Sequence, residues 1–226
     1  MKNELQLFII WENARHKEKE ILDDISQKFE ILKTFNISWS KELFSENLSR
    51  LYGKKLHKSH RKMERCGSGD FLLIVVNDPH PLYQLGINTN ITNSKRKYRQ
   101  WTGGGHLIHG SDTPFETEEN LIFLLHMTSN DFLEKYNTPW DGKHQNLHQE
   151  IIGTPWSDEN ELISFISKLP ETHLREIQDT HLIVTNDVSK ICRILNATKR
   201  MFFMKRNMYR IPLIDNEKFV YIRKPT

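Results

Sequence analysis

Gly103-Gly-Gly-His-Leu-Ile-His-Gly-Ser-Asp-Thr-Pro-Phe-Glu116 sets three glycines and two histidines directly before a strong helix start. Asp112 and Thr113 are N-cap types, Pro114 suits the first helical position, and Glu116 completes a Thr-x-x-Glu capping box. Leu121, Ile122, Leu124 and Leu125 continue the pattern, so a helix is expected over 114–126. His109 then lies beside a helix N-terminus, where exposed N–H groups and the macrodipole favour anions, phosphate above all. That is the setting a phosphoryl-accepting imidazole needs. Gly103, Gly104 and Gly105 would let backbone approach a ligand closely, and Trp101 before them offers a stacking face.

Working outward, Leu5–Trp11 and Phe71–Val76 are apolar runs that predict buried strands. Residues 15–33 carry Ile21, Leu22, Ile25, Phe29 and Leu32 at helical spacing and predict one amphipathic helix. Phe35–Trp39 predicts a short strand, and Ser40 caps a helix running to about Leu51. Residues 86–102 are polar and predict a loop with at most a short strand. A short helix is expected near 129–136, then a turn-rich boundary over 137–142. Beyond it come a helix at 158–168, a strand at 181–185, a helix at 187–196 and strand-like runs at 201–204 and 217–222. This order predicts an α/β (α+β) sandwich over residues 1–136 and a small α/β appendage over 137–226.

Composition sets the frame. With 37% hydrophobic and 27% charged residues and a mean hydropathy of −0.61, the chain reads as globular. No apolar run approaches the roughly 20 residues of a membrane span. No secretion signal is apparent, and Cys66 and Cys192 belong to no metal-spacing motif, so a cytoplasmic protein is expected. Both thiols read as small buried hydrophobes. The net charge is +3, with basic clusters at Lys54, Lys55, Lys58, Arg61, Lys62, Arg65 and at Lys95, Arg96, Lys97, Arg99. The first reads as a solvated face, with His57 and His60 interleaved, and the second as a candidate phosphate site. No nucleic-acid-binding module is present. His106 and His109 spell His-x-x-His, but no third ligand follows at motif spacing, so no metal site is expected. Glu12, where the first strand ends, and Asp78, after the Phe71–Val76 strand, are candidate bases.

Ile108-His-Gly-Ser-Asp112 resembles the catalytic signature of the nucleoside diphosphate kinases, whose histidine carries a phosphoryl group between nucleotides. The resemblance spans about residues 4–126. It implies a ferredoxin-like sandwich, His109 as phosphoryl acceptor, Arg96 as the phosphate-binding arginine thirteen residues before it, and a role for Ser111. It departs from the family in three places. The first strand ends in Ile10-Trp-Glu-Asn13 without the family's lysine, His106 replaces an asparagine, and Asn120 falls where a glutamate orients the imidazole.

Lys97-Tyr-Arg-Gln-Trp-Thr-Gly-Gly-Gly-His-Leu-Ile-His-Gly-Ser-Asp112 also resembles proteins of surface-polysaccharide synthesis that carry this domain before a nucleotidyltransferase-like segment. Gln178-Asp-Thr-His-Leu-Ile-Val184 and Val188–Asn196 match a truncated version of that segment. Together these imply a transferase: His109, His106 and Glu12 at the catalytic centre, and Arg96, Arg99, Gly103, Gly104, Gly105, Ser111 and Trp101 holding nucleotide and phosphate. The implied substrate is a nucleoside triphosphate or nucleotide-sugar with Mg2+, passing a group to a glycan or other acceptor. Glycosyl transfer and nucleotide binding without turnover are the alternatives, and a homo-oligomer stays open.

Overall fold

The computed structural model describes residues 4–52, 59–150, 152, 156, 158–169, 171–177, 180–195, 197–199, 208–213 and 217–225. The fold is mixed α/β, and the chain divides into two compact units, residues 1–121 with 129–151 and residues 122–128 with 152–226. Lys54, Lys55, His57 and Lys58 of the first basic cluster, Gln178, Asp179 and Asn196 of the C-terminal trace, and the strand expected at 201–204 lie outside the described residues.

The first unit holds β1 (Glu4–Ile10), α1 (Glu18–Ser26), β2 (Glu30–Trp39), α2 (Lys41–Tyr52), α3 (Ser59–Cys66), β3 (Phe71–Asp78), β4 (Tyr83–Gln84), β5 (Ile87–Asn88), α4 (Thr89–Trp101) and β6 (Ile108–Gly110). α5 (Pro114–Leu125), α6 (Ser129–Lys135) and β7 (His144–Gln149) follow, α5 starting in this unit and ending in the other. Its sheet runs β6-β1-β3-β2-β7, antiparallel throughout except where β7 joins β2 in parallel. β3 is buried from end to end, as is β1 from Leu5 on, because both faces of the sheet are covered. On one face Phe8, Ile10, Leu72, Ile74 and Ile108 pack with Ile21 and Ile25 of α1 and Ile91 and Tyr98 of α4. On the other, Trp11, Trp39 and Phe71 pack with Phe44 of α2 at ring separations of 4.7–6.3 Å.

The helix expected over 15–33 is instead a 3-10 turn (Glu12–Lys17) and α1, and β2 begins at Glu30. Phe29 fits a helical stripe, but the same core takes it from the chain entering the strand, and pairing with β3 decides the conformation. The loop expected over 86–102 is largely α4. Its inward residues Ile91, Ser94, Lys95 and Tyr98 have helical spacing but only half are apolar, so the periodicity is muted. Asn88 caps it, accepting from the Asn90 and Ile91 N–H groups. The boundary expected at 137–142 falls inside the first unit, because the polar segment His144–Gln149 adds to the edge of β2.

The second unit contains α7 (Glu159–Lys168), β8 (Thr172–Ile177), β9 (Thr180–Thr185), α8 (Val188–Ile194), β10 (Thr198–Lys199), β11 (Met208–Pro212) and β12 (Glu217–Arg223). Its sheet runs β10-β11-β12-β9-β8, with β12 and β9 parallel. No described helix is long and apolar enough to cross a membrane.

Candidate functional site

β6 pairs with β1 so that His109 stands opposite Ile9. Ile108 belongs to the core on the α1–α4 face, so strand alternation turns His109 to the opposite face. There it is 7% exposed, its ring edge-on to Tyr52 of α2 at 5.3 Å, and its Nε2 is 3.0 Å from the Asn120 side-chain nitrogen on α5. An amide NH2 can only donate, so in this orientation Nε2 accepts and the ring proton sits on Nδ1. Turned over, the same amide accepts from Nε2–H and selects the tautomer with its lone pair on Nδ1. Asn120 therefore orients the imidazole, but it lacks the charge with which a carboxylate would make the ring more basic.

Cations gather at the carbonyls and rings that flank His109. Lys62 of α3 sets its Nζ 4.5 Å above the Tyr52 ring and 5.7 Å from the centre of the Trp11 ring, and donates to the His106 carbonyl at 3.4 Å. The Cys66 thiol approaches the same carbonyl at 3.6 Å. Arg99 Nε donates to the Ile108 carbonyl at 2.9 Å. Burial, with Arg99 adding to it and Cys66 opposing, moves the Lys62 ammonium below its ordinary value. Burial likewise raises the Cys66 thiol and the Tyr52 phenol. His106 is exposed, yet partial desolvation followed by the charges of Arg99, Lys62 and Arg65 lowers its imidazole and keeps it neutral near pH 7.

The remaining expected site residues have other surroundings. Ser111 is fully buried, its hydroxyl accepting from the Leu7 N–H at 3.0 Å, donating to Gln6 Oε1 at 2.9 Å and lying 2.8 Å from the Thr117 hydroxyl. Glu12 is exposed and accepts from the Gly69 N–H at 2.6 Å, and a Cβ at Gly67 or Gly69 would run into its side chain. Asp78 is buried, bonded to the Asn88 and Asn90 side chains and the His80 N–H. Trp101 packs against the core on the α1–α4 face, 5.4 Å from Tyr98, with Lys97 above it.

Arg96 is exposed and makes no hydrogen bond among the described residues, whereas its neighbour Lys95 is buried, ion-paired with Asp112 and bonded to the Gly110 carbonyl at 3.2 Å. Gly103, Gly104 and Gly105 all have positive φ (86°, 91° and 72°), and the Gly104 N–H closes α4 on the Arg99 carbonyl. The capping box forms: the Thr113 hydroxyl accepts from Glu116 N–H at 3.1 Å, and the Glu116 carboxylate accepts from Asp112 N–H at 2.9 Å. Among the described residues, no three His, Cys, Asp or Glu side chains gather to hold a metal ion.

Of the residues expected at the site, the structure brings His109, His106 and Arg99 near one another, with Tyr52 and Lys62, which the sequence does not single out, beside them. Lys62 sat within a run read as solvated. Its helical spacing from Cys66, one turn on, was the available signal, since a buried cysteine on a polar helix marks the inward face.

No protein-family model matches the chain, and no curated protein matches it. Among solved structures it is similar to the nucleoside diphosphate kinase of Aquifex aeolicus, at 18% identity and a TM-score of 0.40, over 57% of this chain and 99% of that one. The kinase of Encephalitozoon cuniculi is similar at 17% identity and TM-score 0.38, over 58% and 97% of the two chains. That of Pyrobaculum aerophilum is similar at 14% identity and TM-score 0.35, over 58% and 99%. At these values no activity passes to this chain, and the reading that follows rests on its own side chains.

Proposed function

We propose that the first unit is a nucleotide-dependent phosphotransferase in which His109 accepts the phosphoryl group. One observation carries this reading: an imidazole oriented by the Asn120 amide, 3.0 Å away, and edge-on to a tyrosine over which a lysine ammonium lies. With the Asn120 amide turned so that its oxygen accepts from Nε2–H, the Nδ1 lone pair of His109 attacks the terminal phosphorus in line, an N–P bond forms, and the P–O bond to the departing nucleoside diphosphate breaks. The acceptor's oxygen then takes the phosphoryl group and restores the imidazole. Lys62, Arg99 and the 103–105 backbone, with Arg96 reaching from the surface, would neutralise phosphate charge. His106, held neutral, would serve as a hydrogen-bond partner beside them.

Lysine and arginine chemistry suits phosphate oxygens and offers nothing to magnesium. Mg2+ would therefore enter as the polyphosphate complex, where it lowers the charge on the transferred group. The order β6-β1-β3-β2 with α1 and α4 on one face supports the ferredoxin-like, nucleoside diphosphate kinase-like sandwich for this unit. For the second unit we keep the truncated nucleotidyltransferase-like reading, with which β9 followed by α8 accords, and propose with it a cytoplasmic place in glycan assembly.

The test is incubation with γ-labelled ATP and Mg2+ beside His109→Gln. Acid-labile, alkali-stable label on the parent and none on the variant is expected. Asn120 in place of a carboxylate favours one other outcome, nucleotide binding without turnover, which would appear as thermal stabilisation by nucleotide with no label. Release of free sugar from a nucleotide-sugar would move the assignment to glycosyl transfer.

A further inference from the structure

We propose that Lys62 is the docking cation for the terminal phosphate of the substrate, set near His109 through Tyr52, which contacts both. The proposal rests on the phosphotransfer reading of His109 for its consequence, and on Lys62's own surroundings for its existence.

α3 is a polar helix on which Arg61, Glu64 and Arg65 are exposed and Cys66 is fully buried. Lys62 lies between these extremes, half-buried, one turn before Cys66 and on the same side. Its ammonium has three donors, and among the described residues its only oxygen partner is the His106 carbonyl at 3.4 Å. The Cys66 thiol and two aromatic faces, Tyr52 at 4.5 Å and Trp11 at 5.7 Å, complete its environment. Buried Lys95 is by contrast matched to the Asp112 carboxylate, and even the more exposed Lys97 and Lys28 are matched to Asp24.

Lys62 has no such carboxylate partner among the described residues; beside it lie the Cys66 thiol, which burial keeps protonated, and Arg99, which repels it. A partly desolvated cation next to another cation is costly unless an anion completes the set. Tyr52 touches both groups, its ring 5.3 Å from that of His109 and 4.5 Å from the Lys62 ammonium, so one aromatic ring links the cation to the imidazole. Cation–π contacts fix where the ammonium stands while leaving its N–H groups for a ligand. Lys62 keeps its proton throughout. It makes no bond to phosphorus, and it stabilises the equatorial oxygens while the N–P bond forms and the P–O bond breaks.

The experiment compares the full chain with Lys62→Met, Lys62→Arg and, as a control cation on the same helix, solvent-facing Arg61→Met. Two readouts are taken: calorimetric binding of tripolyphosphate, and label transfer to His109 from γ-labelled ATP with Mg2+. Thermal unfolding verifies that each variant folds, and Lys62→Arg serves if Lys62→Met does not. The expected result is at least about tenfold weaker tripolyphosphate binding in Lys62→Met, partial recovery in Lys62→Arg and no change in Arg61→Met, with labelling falling in parallel. Lys62→Met that binds and labels like the parent overturns the assignment and leaves the His109 reading intact. A parent that binds tripolyphosphate through Lys62 but takes no label overturns the His109 reading and leaves Lys62 as an anion site. A parent that neither binds nor labels overturns both.

Discussion

At the scale of single residues, the motif around His109 separates into groups that face a ligand and groups that hold the strand. The Ser111 hydroxyl is the clearest of the second kind, because Leu7, Gln6 and Thr117 use its hydrogen-bonding capacity inside a fully buried pocket. Ser111→Ala leaves the Leu7 N–H without its acceptor and should cost about 1–3 kcal/mol of stability, measured by urea unfolding. A change within a few tenths of a kcal/mol would show that the hydroxyl is not structural. Glu12 follows the same logic at the surface. Glu12→Ala releases the Gly69 N–H and should lower stability by about 1 kcal/mol, with faster amide exchange at Gly69 as the local sign. Both residues were read from sequence as site groups because chemistry-bearing side chains near a motif look alike in a string of letters. What separates them is the partner each finds 57 to 105 residues away, which no local pattern encodes.

Elements were legible where hydrophobic period and length agreed. β1, β3, α2, α5 and α7 have strong apolar runs or clear caps, and each forms close to its expected bounds. α4 was hidden because its inward face includes Ser94 and Lys95, and the partners that bury Lys95 are tertiary. β7 was hidden because an edge strand needs no apolar face, and His-Gln-Asn-Leu-His-Gln offers none. The clamp between α1 and α4 shows how such polar elements are held. Burial alone would raise the Asp24 carboxyl, but hydrogen bonds from Lys28, Lys97 and Tyr98 outweigh it and hold it at about 2. A carboxyl lower in the folded than in the unfolded state contributes stability above its unfolded value, and that contribution disappears as pH falls through the folded one. With its lysine partners partly solvent-screened, Asp24→Asn should therefore cost about 1 kcal/mol at pH 7, and parent and variant should converge as pH falls from about 4 to 2. Equal pH profiles for the two in chemical denaturation would count against the clamp.

For the whole molecule, acid should reach the two compact units through different titrating groups. In the second unit His126, with φ of 56°, lies 4.2 Å from Trp156 and 5.1 Å from Phe165, ring to ring. Burial lowers its imidazole below the ordinary value of 6.5, against a smaller pull upward from Glu161. The sign is opposite to that of a histidine gaining a carboxylate partner. The folded ring stays neutral while the unfolded ring takes up a proton, so the contribution is present above about 6.5 and is lost as pH falls from there towards the folded value. Asp24 in the first unit is unaffected in that range, since its window lies below pH 4. Hydrogen exchange at pH 7, 5.5 and 3 separates the two responses. Between pH 7 and 5.5, after correction for intrinsic rates, protection should fall in α7 and β9 through His126 and, by a separate share, in the first unit through His106, whose imidazole is also lowered, and the central strands should weaken further towards pH 3. His126→Phe keeps an aromatic ring against Trp156 and removes its titration, so it should abolish the loss in α7 and β9 between pH 7 and 5.5 and leave the changes in β1 and β3 as they are. An undiminished loss in α7 and β9 in His126→Phe would mean that another group drives it, and the assignment of that step to His126 would fail.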